Sequence, residues 1–241
     1  MSGHSKWANI KHKKEANDKV KGFVFAKLSR LITLAVIEGG SIPDPDRNFK
    51  LRFIIEKAKN ANMPKDNIDR AIAKGCGPDK IHLKECVYEA FGPYGVAMII
   101  TASSDNSTRT VNEIKSCLEQ YQAKLGAQGS VIYLFKRVGM IVFDKLNCKE
   151  DAIFEFAQTI NAIDIENNDI CYSVYVPFEV LGKIKDNMGN LISSSVDIIY
   201  KPEIYRELIA EKEINKIKLM IEALEQLNDV HSVFTNILLH S

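Results

Sequence analysis

The residues with the clearest chemistry are lysines. Lys6, Lys11, Lys13, Lys14, Lys19 and Lys21 crowd the start of the chain, and its single tryptophan, Trp7, stands among them. Residues 1–30 carry a net charge of +6 in a chain whose total is +1. Ammonium groups neutralise phosphates and an indole stacks on a base or ribose, so this pattern suits a polyanion. A solvated terminus can hold the same charge with no partner, and these thirty residues leave both readings open.

More cations follow at Arg52, Lys57 and Lys59, and again at Lys65, Arg70 and Lys74. An ordinary solvated helix face accounts for any one of them. It accounts less well for the whole segment, since residues 1–75 sum to +8 and the remainder to −7. Charge divided this way predicts parts with different partners, and nucleic acid is the partner expected for the basic part. Lysines outnumber arginines. Lysine supplies charge more than bidentate reading of base edges, so recognition of backbone and shape is expected.

Other chemistry is thin. No G-x-S-x-G, Walker or H-E-x-x-H pattern occurs. The five cysteines and five histidines are scattered without metal-ligand spacing, which predicts reduced thiols in a cytoplasmic protein and no metal. Cys76 has no basic neighbour in sequence beyond Lys74; Asp105 or Asn106 can cap the helix that follows, and Asp105 is better placed for that than to move protons. Gly126-Ala127-Gln128-Gly129 reads as a loop rather than a dinucleotide fingerprint. No catalytic residue, no cofactor and no enzyme activity are predicted. No apolar run approaches the roughly 20 residues that cross a bilayer, and the chain's beginning has no secretory h-region, so no membrane partner is expected.

The elements that must position the basic residues follow from periodicity. Apolar residues from Val20 to Val36 recur at three- and four-residue steps, predicting a long helix over 15–38 that Gly39-Gly40 ends. A second helix opens near Asp46, and a third starts at Pro64 and closes at a Gly75 cap. Beyond Gly77-Pro78 the period becomes two. Strands are expected at 87–91 and 96–101, a helix to about Tyr121, and the apolar run 131–135 after the glycine-rich loop. Residues 138–201 read β-α-β-β-α-β, with the second of these helices running from Pro177 to about Asp186. A helix over 203–227 and a strand over 230–235 supply what the 83–135 piece lacks. The expected fold is therefore α+β in three domains: an N-terminal three-helix domain followed by two ferredoxin-like α/β domains, one inserted in the other. The expected boundaries are 1–78, then 79–136 plus 202–241, with 137–201 inserted.

GHSKWANIKHKK at 3–14, EGG at 38–40, KAKNANMPKDNIDRAI at 57–72, YEAFGPYGVA at 88–97, DNSTRT at 105–110, GAQGSV at 126–131 and DVHSVFTN at 229–236 resemble the YebC/PmpR family in order along the chain. The resemblance implies a three-domain protein described as a probable transcriptional regulator that binds DNA in the cytoplasm. It equally implies kinship with a mitochondrial translational activator of cytochrome c oxidase and with ribosome-linked bacterial members. DNA and ribosomal RNA present the same phosphate charge, so both targets remain open. By motif, Lys6, Trp7, Lys11, Lys13 and Lys14 are the arm residues at stake. Met63, Pro64, Lys65, Asp66 and Asn67 form either an RNA-probing loop or simply the turn that starts a helix. Oligomeric state is not legible.

Overall fold

A computed structural model describes residues 18–76 and 82–238. In chain order, α1 is Asp18–Glu38, α2 Phe49–Asn60 and α3 Lys65–Cys76. One apolar cluster holds them together: Leu28, Ile32 and Val36 of α1 meet Leu51, Ile55 and Ala58 of α2, and Ile68 and Ala71 of α3, with Met63 between them. Each large side chain buried there contributes about 1.5–3 kcal/mol.

Small polar devices set the helix angles. Asn48 caps α2 by accepting the Leu51 N–H at 3.1 Å while its amide donates to the Ala35 carbonyl at 2.8 Å. That amide occupies the space where a Cβ on Gly39 would sit, 2.1 Å away, so only glycine fits there. Thr33 donates to the Ala71 carbonyl at 2.8 Å. Gly75 is buried inside α3 rather than capping it. A Cβ there would fall 2.7 Å from Val36, and close packing against α1 is what demands glycine.

The chain continues through β1 (Lys84–Phe91), β2 (Ala97–Ser104), α4 (Ser107–Gln120) and the short β3 (Lys124–Leu125). Asn106, not Asp105, caps α4. Next come β4 (Phe135–Asp144), α5 (Glu150–Thr159), β5 (Asp164–Asn167), β6 (Cys171–Pro177), α6 (Ile184–Asn187) and β7 (Ser195–Pro202). Last are β8 (Arg206–Glu207), α7 (Glu211–Glu225), β9 (Val230–Thr235) and β10 (Ile237–Leu238).

The result is a mixed helix-and-sheet molecule in which three helices come first, and two four-stranded sheets and the short parallel pair β8–β10 follow, with the later helices between their strands. One sheet has the order β3-β1-β2-β9, antiparallel at each pairing, with Phe91 opposite Lys124 and Ile99 opposite Phe234. The other has the order β5-β6-β4-β7. The chain divides into two compact units, one of residues 137–201 and one that combines 18–136 with 202–238. In the 137–201 unit, Phe143 and Phe156 pack edge to face at 5.5 Å, and Lys201 binds Glu166 at 2.8 Å and Asp164 at 3.0 Å.

Two expected helices are shorter than their patterns suggest. The one placed at 203–227 starts only at Glu211, because earlier N–H groups are bound far away in sequence: Glu203 donates to the Leu134 carbonyl and Arg206 to that of Asn236. The one placed at 177–186 begins as a 3₁₀ stretch, Phe178–Lys183, and has one α turn.

Candidate nucleic-acid interface

The arm residues Lys6, Trp7, Lys11, Lys13 and Lys14 lie outside the described residues, while Lys19 falls in the first turn of α1 and Lys21 is exposed on it. Of the later cations, Lys57, Lys59, Lys65, Arg70 and Lys74 are exposed and Arg52 is half-buried, its guanidinium 5.6 Å from the Phe53 ring.

Lys59 and Lys65 flank the α2–α3 turn, and backbone chemistry makes that turn rigid. Asn62 adopts φ +57°, and the Met63 N–H returns to the Ala58 carbonyl at 2.9 Å. This is a Schellman closure with Met63 as its apolar plug, followed by Pro64, whose carbonyl accepts from Asn67 and Ile68. Met63 is only 6% exposed, which corrects its place among probing residues: its side chain belongs to the head's core. Pro64, Lys65 and Asp66 are the exposed tip. Arg70 is turned onto its own helix, donating to Asn67 Oδ1 at 2.6 Å and to the Asp66 carbonyl at 3.1 Å. Asp66 and Asp69 dilute the positive charge of α3.

A second set of charges ties the head to the β1–β2–β9 sheet. Asp229, 1% exposed, accepts Arg30 of α1 at 2.5 Å, and Arg109 and Thr110 of α4 at 2.9 and 2.5 Å. Lys27 donates to the Glu225 carbonyl. Burial alone would raise the Asp229 pKa, but Thr110, Arg109 and Arg30 hold it below the usual carboxylate value. The neighbouring His231 is pushed down to about 3 by burial and by Lys27, Arg30 and Lys57, so it is neutral. Lys57, expected only as a phosphate contact, thus also lies within electrostatic reach of this joint. A polar cleft of about 360 Å³ lined by Arg30, Asp105, Arg109, Glu113, Asn228 and Asp229 opens beside it.

A third polar centre is Glu89. This buried side chain accepts the N–H groups of Gly129, Val131 and Ile132 at 2.5, 2.6 and 2.8 Å and so holds the glycine-rich loop. Burial raises its pKa, but these donors more than offset that and leave it lowered.

Sequence reasoning did not single out Arg30, Arg109, Thr110, Asp229, His231 or Glu89 as a set. The quoted segments DNSTRT and DVHSVFTN contain four of them, but no spacing says that they meet. Glu89 carried one signal, a charge on a strand flanked by apolar residues. Among the described residues, no cluster of three or more His, Cys, Asp or Glu could hold a metal, and no helix is long and apolar enough to cross a membrane.

A helical head with exposed lysines, joined to an antiparallel sheet, defines an α+β fold class. Comparison with known proteins narrows it. Residues 5–78 match the model for the TACO1/YebC N-terminal domain, and residues 83–237 that for the TACO1/YebC second and third domain. The chain belongs to the TACO1/YebC family. A protein of Brachyspira hyodysenteriae named a probable transcriptional regulatory protein is 39% identical over 98% of this chain and 96% of its own length. One from Syntrophomonas wolfei with the same description is also 39% identical, again over 98% and 96%. The crystal structure of a conserved hypothetical protein from Aquifex aeolicus superposes with a TM-score of 0.86 at 35% identity, covering 96% of each chain.

Proposed function

We propose that this protein is a transcriptional regulator that binds DNA through its basic N-terminal domain, acting by binding rather than catalysis and in the cytoplasm. The observation that carries the reading is a rigid head whose exposed Lys59 and Lys65 flank a closed turn, in a segment of net charge +8. Lys6, Trp7, Lys11, Lys13, Lys14, Lys19, Lys21, Arg52, Lys57, Lys74 and Arg70 extend the proposed surface. Such a surface grips phosphates and tolerates many sequences. The names of the relatives support transcription as its setting. The same proposal takes the working domains as 1–78, 79–136 plus 202–241, and 137–201. The compactness of the 137–201 unit and the two family matches support that division.

A second reading, ribosome-associated binding of folded RNA, is favoured by one observation. Arg70, the only arginine on α3, is turned onto its own helix instead of being presented to base edges. Shape recognition needs no base-reading side chain.

Anisotropy titration of duplex DNA with Lys59→Glu and Lys65→Glu tests the proposal. Each substitution is expected to weaken binding at all sequences and to reduce the salt slope by about one. Unchanged binding by the double variant would remove the head from the interface. Sedimentation of lysate separates the targets: co-migration with ribosomes supports the second reading, and its absence together with promoter crosslinks supports the first.

A further inference from the structure

We propose that the edge of the β3-β1-β2-β9 sheet carries a second nucleic-acid contact, a platform of exposed aromatic rings and lysines that takes an unpaired, single-stranded segment. The inference rests on nucleic acid being this protein's ligand and adds a site distinct from the basic head.

Strand pairing, the Gly126 approach and the Glu89 anchor tie Phe91, Lys124 and Tyr133 to one glycine-rich loop. Phe91, the last residue of β1, lies directly opposite Lys124 of β3, so the two side chains share a face. The Phe91 ring closes on Gly126, where a Cβ would lie 3.2 Å from its Cε2. Lys216 of α7 donates to Gln122 at 2.5 Å and stands 6.0 Å from the Tyr94 ring centre. Glu89 shares the Phe91 face two residues back, buried, with its carboxylate on the loop's N–H groups. That anchor fixes Val131 and Ile132 and thereby the position of Tyr133, the next residue. Tyr133 is 67% exposed, Phe91 45% and Tyr94 36%.

The charge points to the occupant. From Gln120 to Lys136 the chain has Lys124 and Lys136, both exposed, and no acid, within a portion of the sequence that is otherwise net negative. Rings in water beside ammonium groups match what a single strand offers, a π-face from each base and a phosphate from each linkage. A protein partner fits less well, because the cores of protein–protein interfaces are depleted in lysine. A duplex fits less well too, since its bases are already stacked.

The test titrates the full chain against labelled fifteen-nucleotide U and dT strands. Tyr133→Ala is expected to weaken strand binding by roughly tenfold. Tyr133→Phe should restore it and Tyr133→Leu should not. Lys124→Glu and Lys136→Glu should each weaken it and lower the salt slope by about 0.7. Preference for U over dT would identify RNA, the reverse DNA, and either supports the site. No strand binding, or binding indifferent to both Tyr133→Ala and the lysine reversals, overturns it. Full rescue by Leu overturns it as well, because that outcome describes apolar docking of a protein. Lys59→Glu with Lys65→Glu reads the head separately. If that pair changes nothing while the Tyr133 and Lys124 variants lose binding, the head reading falls and this one stands.

Discussion

Two buried carboxylates organise the larger unit in opposite ways. Asp229 gathers charged and hydroxyl side chains from separate elements: Arg30 comes from the helical head, 199 residues away in sequence, and Arg109 and Thr110 from α4. Glu89 gathers neutral backbone donors from one loop, 40 to 43 residues away. The first orients whole elements, and it works only while its guanidinium partners keep their positions. The second shapes a local loop, and its donors are present whatever side chains the loop carries. A joint between elements therefore depends on particular residues at every corner, whereas a loop clamp depends on one.

The contrast can be broken experimentally. Asp229→Asn should have the largest effect, about 3 kcal/mol, at the lower end for a broken buried pair because Arg30 and Arg109 remain partly solvated. Chemical denaturation would read it, and protection of α1 amides from exchange should fall with it. Glu89→Gln should cost less, about 2 kcal/mol, since the amide retains one acceptor for three N–H groups, and the loss of exchange protection should centre on 129–132.

Acid should attack the joint before the clamp. His231 titrates lower in the folded chain than its ordinary 6.5, so the unfolded chain binds the extra proton. Its contribution is intact above about 6.5 and is lost as pH falls toward 3, at up to about 1.4 kcal/mol per unit. His231→Gln should flatten a stability profile over that window. Asp229 and Glu89 have lowered values, so their contributions are present above the ordinary carboxylate range and are lost at lower pH, as pH falls through their folded values. The smallest effect belongs to Tyr133→Ala. An exposed ring with no part in either centre should change stability by less than about 0.5 kcal/mol in a thermal melt. A larger loss would mean that the ring supports the Glu89 loop.

Much of the local structure was legible in residue order. The step pattern from Val20 to Val36, the Asn62-Met63-Pro64 break and the alternation along 87–101 each report a backbone conformation set by neighbours a few positions away. The basic charge of the first 75 residues was equally plain, as was the family, through motifs that run in order along the chain. Side-chain fates were less so. Met63 reads as part of an exposed turn, but the turn's closure plugs it into the core. Gly75 reads as a cap, but the approach of Val36 is what requires it. Arg70 reads as a cation for a phosphate, but its nearest acceptors are on its own helix.

The amino-acid sequence alone thus determined most of the helices and strands and the uneven charge, because propensity, periodicity and net charge are local or additive, while distant N–H partners shortened the helix expected at 203–227. Only the tertiary structure decided that Arg30, Arg109 and Asp229 meet, that Glu89 clamps a loop forty residues on, and that Phe91, Lys124 and Tyr133 flank one loop at a sheet edge. Those juxtapositions depend on which strands pair and which helices cover them, and chain closure over such distances leaves no trace in the spacing of the residues it brings together.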